Sequence, residues 1–454
     1  MTSPVLAPST DPCVHCGFCL PSCASYLALG SEMDSPRGRI HALKAIEAGE
    51  LTLDATVASH FDSCLGCLAC VSACPSGVRY DQLLEATRPK LNAPELRSPA
   101  QQLWRRLLFG LLPYPARLRA LLQPLRAYAG TPLQGLIRRT GLPRVLGPQL
   151  AAMEQLLPPL PPESFSDSLP RVVPAVGERR YRVGLLLGCV QRVFDPAVNQ
   201  ATAAVLAANG IEVVIPADQG CCGAVTHHQG EEAQTRTLAS ALVRSFAAAG
   251  PLDAVLVSAS GCGHSLKAYG RLLAEAEPAL ASAADDLAAK AFDVQEFLAK
   301  VGLTAAFEAA LRPLPHADGS AASAERPLTL AYHDACHMLH GQGISAAPRQ
   351  LLRAIPHVRL REPLEQGVCC GSAGIYNLVQ PAEAELLGAR KADDLRGTGA
   401  QIAVSANIGC SLQLRRHLQG SERSGEQPIP VQHPMQLLAQ SAGASLAKPA
   451  KPTN

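Results

Sequence analysis

No charge of one sign dominates this sequence: 40 lysines and arginines stand against 38 aspartates and glutamates, a formal net charge of +2. Nothing global therefore points to nucleic acid as a partner. No apolar run is long enough for a transmembrane helix. The stretch from Met1 to Thr10 has neither a basic region nor an apolar one, so it reads as a disordered lead and not as a secretory signal. Also missing is a G-x-G-x-x-G fingerprint at a strand–helix junction for a flavin or nicotinamide. No constellation of carboxylates or Ser–His pairs suited to activating an organic substrate occurs either. Charged residues make up 17% and apolar ones 47%, a globular balance, and 454 residues are too many for one ordinary core. What the chain does have is sixteen cysteines. Without a secretory signal these read as metal ligands in a reducing compartment, not as disulfides, and a cytoplasmic location is expected.

The most informative stretch is Cys64-Leu-Gly-Cys67-Leu-Ala-Cys70-Val-Ser-Ala-Cys74-Pro75. It is the C-x2-C-x2-C-x3-C-P run in which three thiolates wrap one corner of an iron–sulfur cube and the fourth points at another cube. A second run, Cys13-Val-His-Cys16-Gly-Phe-Cys19-Leu-Pro-Ser-Cys23, stands upstream. The crossed pattern assigns Cys13, Cys16, Cys19 and Cys74 to one [4Fe–4S] cluster, and Cys64, Cys67, Cys70 and Cys23 to the other. Cys23 is followed by Ala24 where Cys74 has Pro75, so its turn is expected to differ. Paired zinc sites fit less well, because zinc takes separated C-x2-C pairs. Between the runs, Arg37 to Glu47 reads as a helix, and Val78 to Leu91 as another.

Residues 96–153 hold nine arginines and no Asp, Glu or Lys, interleaved with leucines and the only tryptophan, Trp104. Basic amphipathic helices with an aromatic anchor suit an anionic membrane surface; the alternative is a helical linker docked on a partner subunit or on the chain itself. Residues 158–178 read as a proline- and serine-rich linker.

From Tyr181 the chain repeats itself. Cys189 is followed after 31 residues by Cys221-Cys222-Gly223 and after 39 more by Cys262; Cys336 is followed after 32 by Cys369-Cys370-Gly371 and after 39 by Cys410. Apolar runs alternating with helices (Ala197–Asn209; Pro348–Ile355) argue for parallel α/β units, whose carboxyl-end loops gather the cysteines at a crevice. Adjacent cysteines do not readily bridge each other. Cys189, Cys221, Cys222, Cys262 and Cys336, Cys369, Cys370, Cys410 are therefore candidate ligands of a further iron–sulfur cluster or of zinc, with redox-active or structural thiols as the alternative. His264 and His337 are candidate additional ligands or proton carriers; His227, His228, His333 and His340 are weaker ones.

The expected architecture is α+β / α/β multidomain. A helical two-cluster ferredoxin-type domain (1–95) is followed by the arginine- and leucine-rich helical segment and linker (96–178). Two cysteine-rich CCG repeats (179–310 and 326–440) and a disordered tail (441–454) complete it.

The runs already quoted, together with Pro36-Arg-Gly-Arg-Ile, Cys74-Pro-Ser-Gly-Val-Arg-Tyr, Gly220-Cys-Cys-Gly-Ala-Val, Ala259-Ser-Gly-Cys-Gly, Cys369-Cys-Gly-Ser-Ala-Gly and Ala406-Asn-Ile-Gly-Cys, resemble the iron–sulfur subunit family of bacterial glycolate oxidase over roughly residues 10–440. That resemblance implies flavin-containing partner subunits, with FAD and the substrate site on the partner. Glycolate would be oxidised to glyoxylate there, and electrons carried by this chain to a quinone-type acceptor, with peripheral contact at the inner face of the membrane. The equivalent subunit for lactate or glycerol 3-phosphate oxidation shares the architecture. Related heterodisulfide reductase subunits end each repeat in C-x-x-C, whereas this chain has Cys262-Gly-His-Ser265 and Cys410-Ser-Leu-Gln413. The missing cysteines count against a five-thiolate non-cubane cluster and thiol–disulfide chemistry. A non-catalytic metal scaffold is the remaining alternative.

Overall fold

The computed structural model describes residues 9–145, 147–274, 276–420 and 427–446. The N-terminal part is helical. Ser35 caps the helix Pro36–Glu47 by accepting from Gly38 N at 3.1 Å, and Asp54 caps Ala55–Asp62 by accepting from Val57 N at 2.9 Å. Ile40, Val57, Phe61, Leu83, Leu84 and Leu91 close a small core around the second cysteine run. The expected helix from Val78 is shorter, Tyr80–Thr87, with a separate turn at Lys90–Asn92.

Each repeat is a parallel sheet. In the first, β1 (Val172–Val173), β2 (Tyr181–Leu186), β3 (Ile211–Val214), β4 (Ala254–Val257) and β5 (Ala291–Asp293) run in the order β1-β3-β2-β4-β5. In the second, β6 (Leu328–His333), β7 (Val358–Arg361), β8 (Ile402–Ser405) and β9 (Val431–Gln432) run in the order β7-β6-β8-β9. All these pairings are parallel except β1 with β3. Strands β2 and β4 are nearly continuous apolar runs, as strands buried on both faces require.

The two repeats pack reciprocally. The helix after β2 (Pro196–Ala208) lies on the helix after β9 (Pro434–Ala442), and the helix after β5 (Val294–Val301) lies on the helix after β6 (Ala346–Arg353). One apolar core, including Leu185, Leu206, Leu298, Leu330, Leu352 and Leu438, runs through both. The repeats are therefore halves of a single pseudo-symmetric body.

Three expectations at the margins need correcting. The linker 158–178 contributes the edge strand β1, because Val173 finds a buried place beside Val213. Thr10 is buried and donates to Glu47 at 3.2 Å, so the lead does not extend to residue 10; residues 1–8 lie outside those described. The last helix runs to Ala442, and Ser441 is buried and donates to Arg312 O at 2.7 Å, so no tail begins at 441; residues 447–454 lie outside those described.

The arginine-rich segment folds as Pro99–Leu111, Pro115–Leu122, Pro132–Thr140 and Pro148–Leu156, laid against the rest of the chain. Its charges find partners: Arg97 with Asp62, Arg105 with Glu231, Arg119 with Asp167, Arg138 with Glu154. Phe109 and Leu108 pack on Ile375 of the second repeat.

Candidate iron–sulfur site

The two N-terminal cysteine loops share a backbone device. His15 and Gly17 flank Cys16 with φ of 54° and 86°; Gly66 and Leu68 flank Cys67 with φ of 63° and 66°. Left-handed residues on both sides of the middle cysteine curl the loop so that its thiols turn inward. At His15 and Leu68 that conformation carries a steric cost, the kind of strain held at functional sites.

Cys13, Cys16, Cys19 and Cys74 are brought together around one hollow. Cys23, Cys64, Cys67 and Cys70 surround a second, and Cys70 lines both. Thus the fourth cysteine of each run stands with the other run's first three. After Cys23 the chain enters the helix Ala24–Leu29 at once, whereas after Cys74-Pro75 the next helix starts at Tyr80. That short helix after Cys23 docks on Pro381–Gly397 of the second repeat, with Ala24 buried at the contact.

The Pro36-Arg-Gly-Arg run serves both hollows. Pro36 lines both, Arg37 lines the first and donates to His15 O at 3.1 Å, and Arg39 lines the second. Arg39 is 1% exposed. It donates from Nε to His60 O at 2.6 Å and from Nη2 to Ser63 Oγ at 2.8 Å and Ser25 Oγ at 3.1 Å, while Nη1 has no partner. Arg88, also buried, donates to Cys64 O at 2.7 Å. Two buried guanidiniums in one small domain demand negative charge nearby. Burial by itself raises the Cys64 thiol, but Arg39 and Arg88 outweigh it and the net shift is downward, toward thiolate. Burial, then the neighbouring Cys336, pushes Cys67 up, so that thiol stays protonated until a metal takes its sulfur and the proton leaves to solvent. This donor set fits two anionic iron–sulfur clusters. Sequence reasoning missed both arginines; the paired arginines two apart at a helix start were the signal for Arg39, and Arg88 had none.

The hollows differ in exposure. Cys16 is exposed, and Val14 and Phe18 beside it stand 68% and 66% exposed. Cys64 and Cys67 are buried, and Cys67 shares an apolar cluster with Cys369 and, at its edge, Cys336. Tyr376 donates to Ser63 O at 3.1 Å across the same contact. The second hollow therefore abuts the second repeat's cysteines.

In the second repeat, Cys336 neighbours Cys369, which neighbours Cys370, which neighbours Cys410. His333 brings a ring nitrogen within 4.8 Å of the Cys370 and Cys410 sulfurs, and both of its ring nitrogens are buried without partners. Burial holds its pKa down to about 3, so the ring is neutral. It had ranked among the weaker ligand candidates. In the first repeat the position matching His333 is Leu186. There Cys189 Sγ lies 3.3 Å from Cys221 Sγ, and Cys222 contacts Cys262, within the buried first repeat. Gly223 and Gly371, at φ of 78° and 84°, supply the left-handed turn after each cysteine pair that ordinary side chains resist. His227 is tied to Glu85 at 3.2 Å and His340 to Ser72 at 3.0 Å, bridging contacts between the repeats and the N-terminal domain. His228, His264 and His337 gather apart from the cysteines.

Comparison with known proteins follows the same divisions. Family models match as "4Fe-4S dicluster domain" at residues 9–78, "Glycolate oxidase iron-sulfur subunit, linker region" at 100–157, and "Cysteine-rich domain" at 183–267 and again at 330–415. A Bacillus subtilis protein named probable glycolate oxidase iron–sulfur subunit is 34% identical over 433 residues, covering 95% of this chain and 94% of its own length. The chain belongs to the glycolate oxidase iron–sulfur subunit family. The Escherichia coli K12 family member is 33% identical over 405 residues, 88% of this chain and 89% of its own. Lactate utilization protein A of Shouchella clausii is 28% identical over 256 residues, 56% of this chain and 98% of its own length. The arginine-rich segment is thus the family's linker region, and the family is one of oxidoreductase subunits with iron–sulfur clusters. Among the described residues no helix is long and apolar enough to cross a membrane.

Proposed function

We propose that this chain carries electrons, one at a time, from a flavin-containing partner subunit that oxidises glycolate to glyoxylate toward a quinone-type acceptor. The observation that carries this reading is the continuity of the thiol-lined hollows: an exposed one, a buried one sharing Cys70 with it, and the second repeat's cysteines against Cys67. Clusters bound in the hollows supply one-electron storage and transfer. Cys13, Cys16, Cys19 and Cys74 hold the first [4Fe–4S] cluster, and Cys64, Cys67, Cys70 and Cys23 the second. Val14 and Phe18 offer the apolar rim on which the flavin subunit docks, next to the exposed Cys16. Arg39 and Arg88 compensate the charge at the buried hollow. Cys336, Cys369, Cys370 and Cys410, with His333 as a nitrogen donor in place of the absent C-x-x-C cysteine, form the onward metal site. Cys189, Cys221, Cys222 and Cys262 form a further site for iron–sulfur or zinc. The exposed Leu103, Leu107, Leu133 and Leu136 of the linker region support peripheral contact at the membrane, where a quinone acceptor resides.

The likeness to lactate utilization protein A favours one second reading, with lactate as the partner's substrate. The chain purified with its flavin partner and mixed anaerobically with glycolate or lactate separates them. Freeze-quench EPR should show cluster reduction within turnover with glycolate. Reduction by lactate alone supports the second reading, and reduction by neither overturns the relay.

A further inference from the structure

Three imidazoles from three segments converge beside the buried hollow, outside every cysteine set. His228 follows the short helix Ala224–His227, His264 lies in Ser260–Lys267 of the first repeat, and His337 is the second residue of Cys336–Gln342 in the second. One ring nitrogen of each lies within 4.8 Å of the other two. The ring centroids stand 4.5 Å apart for His228 and His337, 5.0 Å for His264 and His337, and 6.4 Å for His228 and His264.

In this cluster His228 Nε2 and His264 Nδ1 are buried with no hydrogen-bond partner. A buried nitrogen left unsatisfied is destabilising, so two of them in one three-imidazole cluster call for a partner. His337 is prepared for the same task. Its Nε2–H donates to Gly66 O at 2.9 Å, which leaves Nδ1 as a lone-pair donor, the arrangement by which a backbone carbonyl orients a metal-binding histidine. Gly341 makes room: a Cβ there would stand 2.8 Å from the His264 ring. The cluster occurs once. By the cysteine registers the matching positions are Tyr376, Leu412 and Val190, so the pseudo-symmetry of the repeats does not require it.

We propose that His228, His264 and His337 form a binding site for a divalent transition-metal ion of the zinc class, fastening the two repeats to the Gly66 loop of the buried hollow. Nitrogen-only donors select zinc, cobalt, nickel or copper over magnesium or calcium, and three protein ligands leave one position for water. The charges acting on the cluster are Glu85, tied to His227 and Arg271, with Asp81, Arg271 itself and the guanidinium of Arg88; none of them belongs to the group of three. The site does not depend on the electron-relay reading.

The probe is Co²⁺ added to the anaerobically purified full chain. The expected result is one equivalent bound with visible d–d bands and no thiolate-to-cobalt charge-transfer band. His228→Gln and His264→Gln should each weaken that binding about tenfold or more while keeping iron content and the EPR of the reduced protein. Sulfur-ligated cobalt only, no binding in the wild-type chain, or binding unchanged in both variants overturns the site. Should a variant lose iron as well, the wild-type cobalt spectrum decides alone.

Discussion

Arg39 offers the sharpest quantitative test of how the fold tunes the buried hollow. Its guanidinium is 1% exposed and lines the space enclosed by Cys23, Cys64, Cys67 and Cys70. Taking a separation of about 6 Å between a guanidinium lining the hollow and the centre of a bound cluster, and an effective dielectric of about 20, the unit charge is worth about 3 kcal/mol. For a one-electron couple about 1.4 kcal/mol corresponds to about 59 mV, so the full effect is about 120 mV. Asp34 stands 3.9 Å from Arg39 and cancels part of it, leaving roughly 50–100 mV. Arg39→Gln should therefore lower the midpoint potential of the buried cluster by that amount, because reduction adds negative charge that the guanidinium no longer stabilises. Arg39→Lys should keep most of the potential, although it loses the fork that reaches His60 O, Ser63 and Ser25 together. EPR-monitored redox titration under anaerobic conditions reads both, with iron content as the control for folding. An unchanged midpoint in Arg39→Gln, or an equal fall in Arg39→Lys, would refute the charge argument.

Other substitutions probe the remaining links. Cys67→Ser should lose or downgrade the buried cluster and stop substrate-to-acceptor turnover in the assembled complex while flavin reduction persists; stopped-flow absorbance with unchanged turnover would contradict this. Phe18→Asp puts a charge on a side chain that is 66% exposed on the apolar rim, and should weaken association with the flavin subunit about tenfold, roughly 1.4 kcal/mol, with the cluster EPR intact. Calorimetry showing equal affinity would move the docking face elsewhere. His333→Gln should change the metal content or the spectrum assigned to the second repeat without touching the two ferredoxin-type clusters. If both stay the same, His333 is a buried neutral ring and no ligand. Cys222→Ser should alter metal content or stability; a variant indistinguishable in both would leave the first repeat's thiols without a metal role.

Cysteine spacing made the repeat and the grouping of the thiols around each hollow legible, because a closed loop tolerates few alternatives in residue number. The alternation of apolar runs and helices did the same for the two parallel sheets, whose order β3-β2-β4-β5 recurs as β7-β6-β8-β9. What escaped depended on distant partners. Val172 and Val173 are too short a run to announce a strand, and only the edge of β3 makes them one. Ser441 looks like a tail residue until Arg312, 129 positions earlier, bonds to it. Of the readings open for the nine arginines, docking on the chain itself depended on Asp62, Glu231, Asp167 and Glu154, partners outside the segment that spacing could not name. Arg88 carries no local signature, and its importance comes from facing Cys64 O and the loop at Gly66. The three converging histidines could not be paired from spacing at all, since nothing in positions 228, 264 and 337 brings them together except the reciprocal packing of the repeats.

The central claim is that the crossed cysteine sets hold two [4Fe–4S] clusters that work as a relay. Iron and acid-labile sulfide, measured on the anaerobically purified chain together with EPR after reduction, test it most directly. The expected result is at least about eight irons and eight sulfides per chain, with two interacting reduced-cluster signals. Four or fewer irons, or zinc in their place with no such signal, would contradict it.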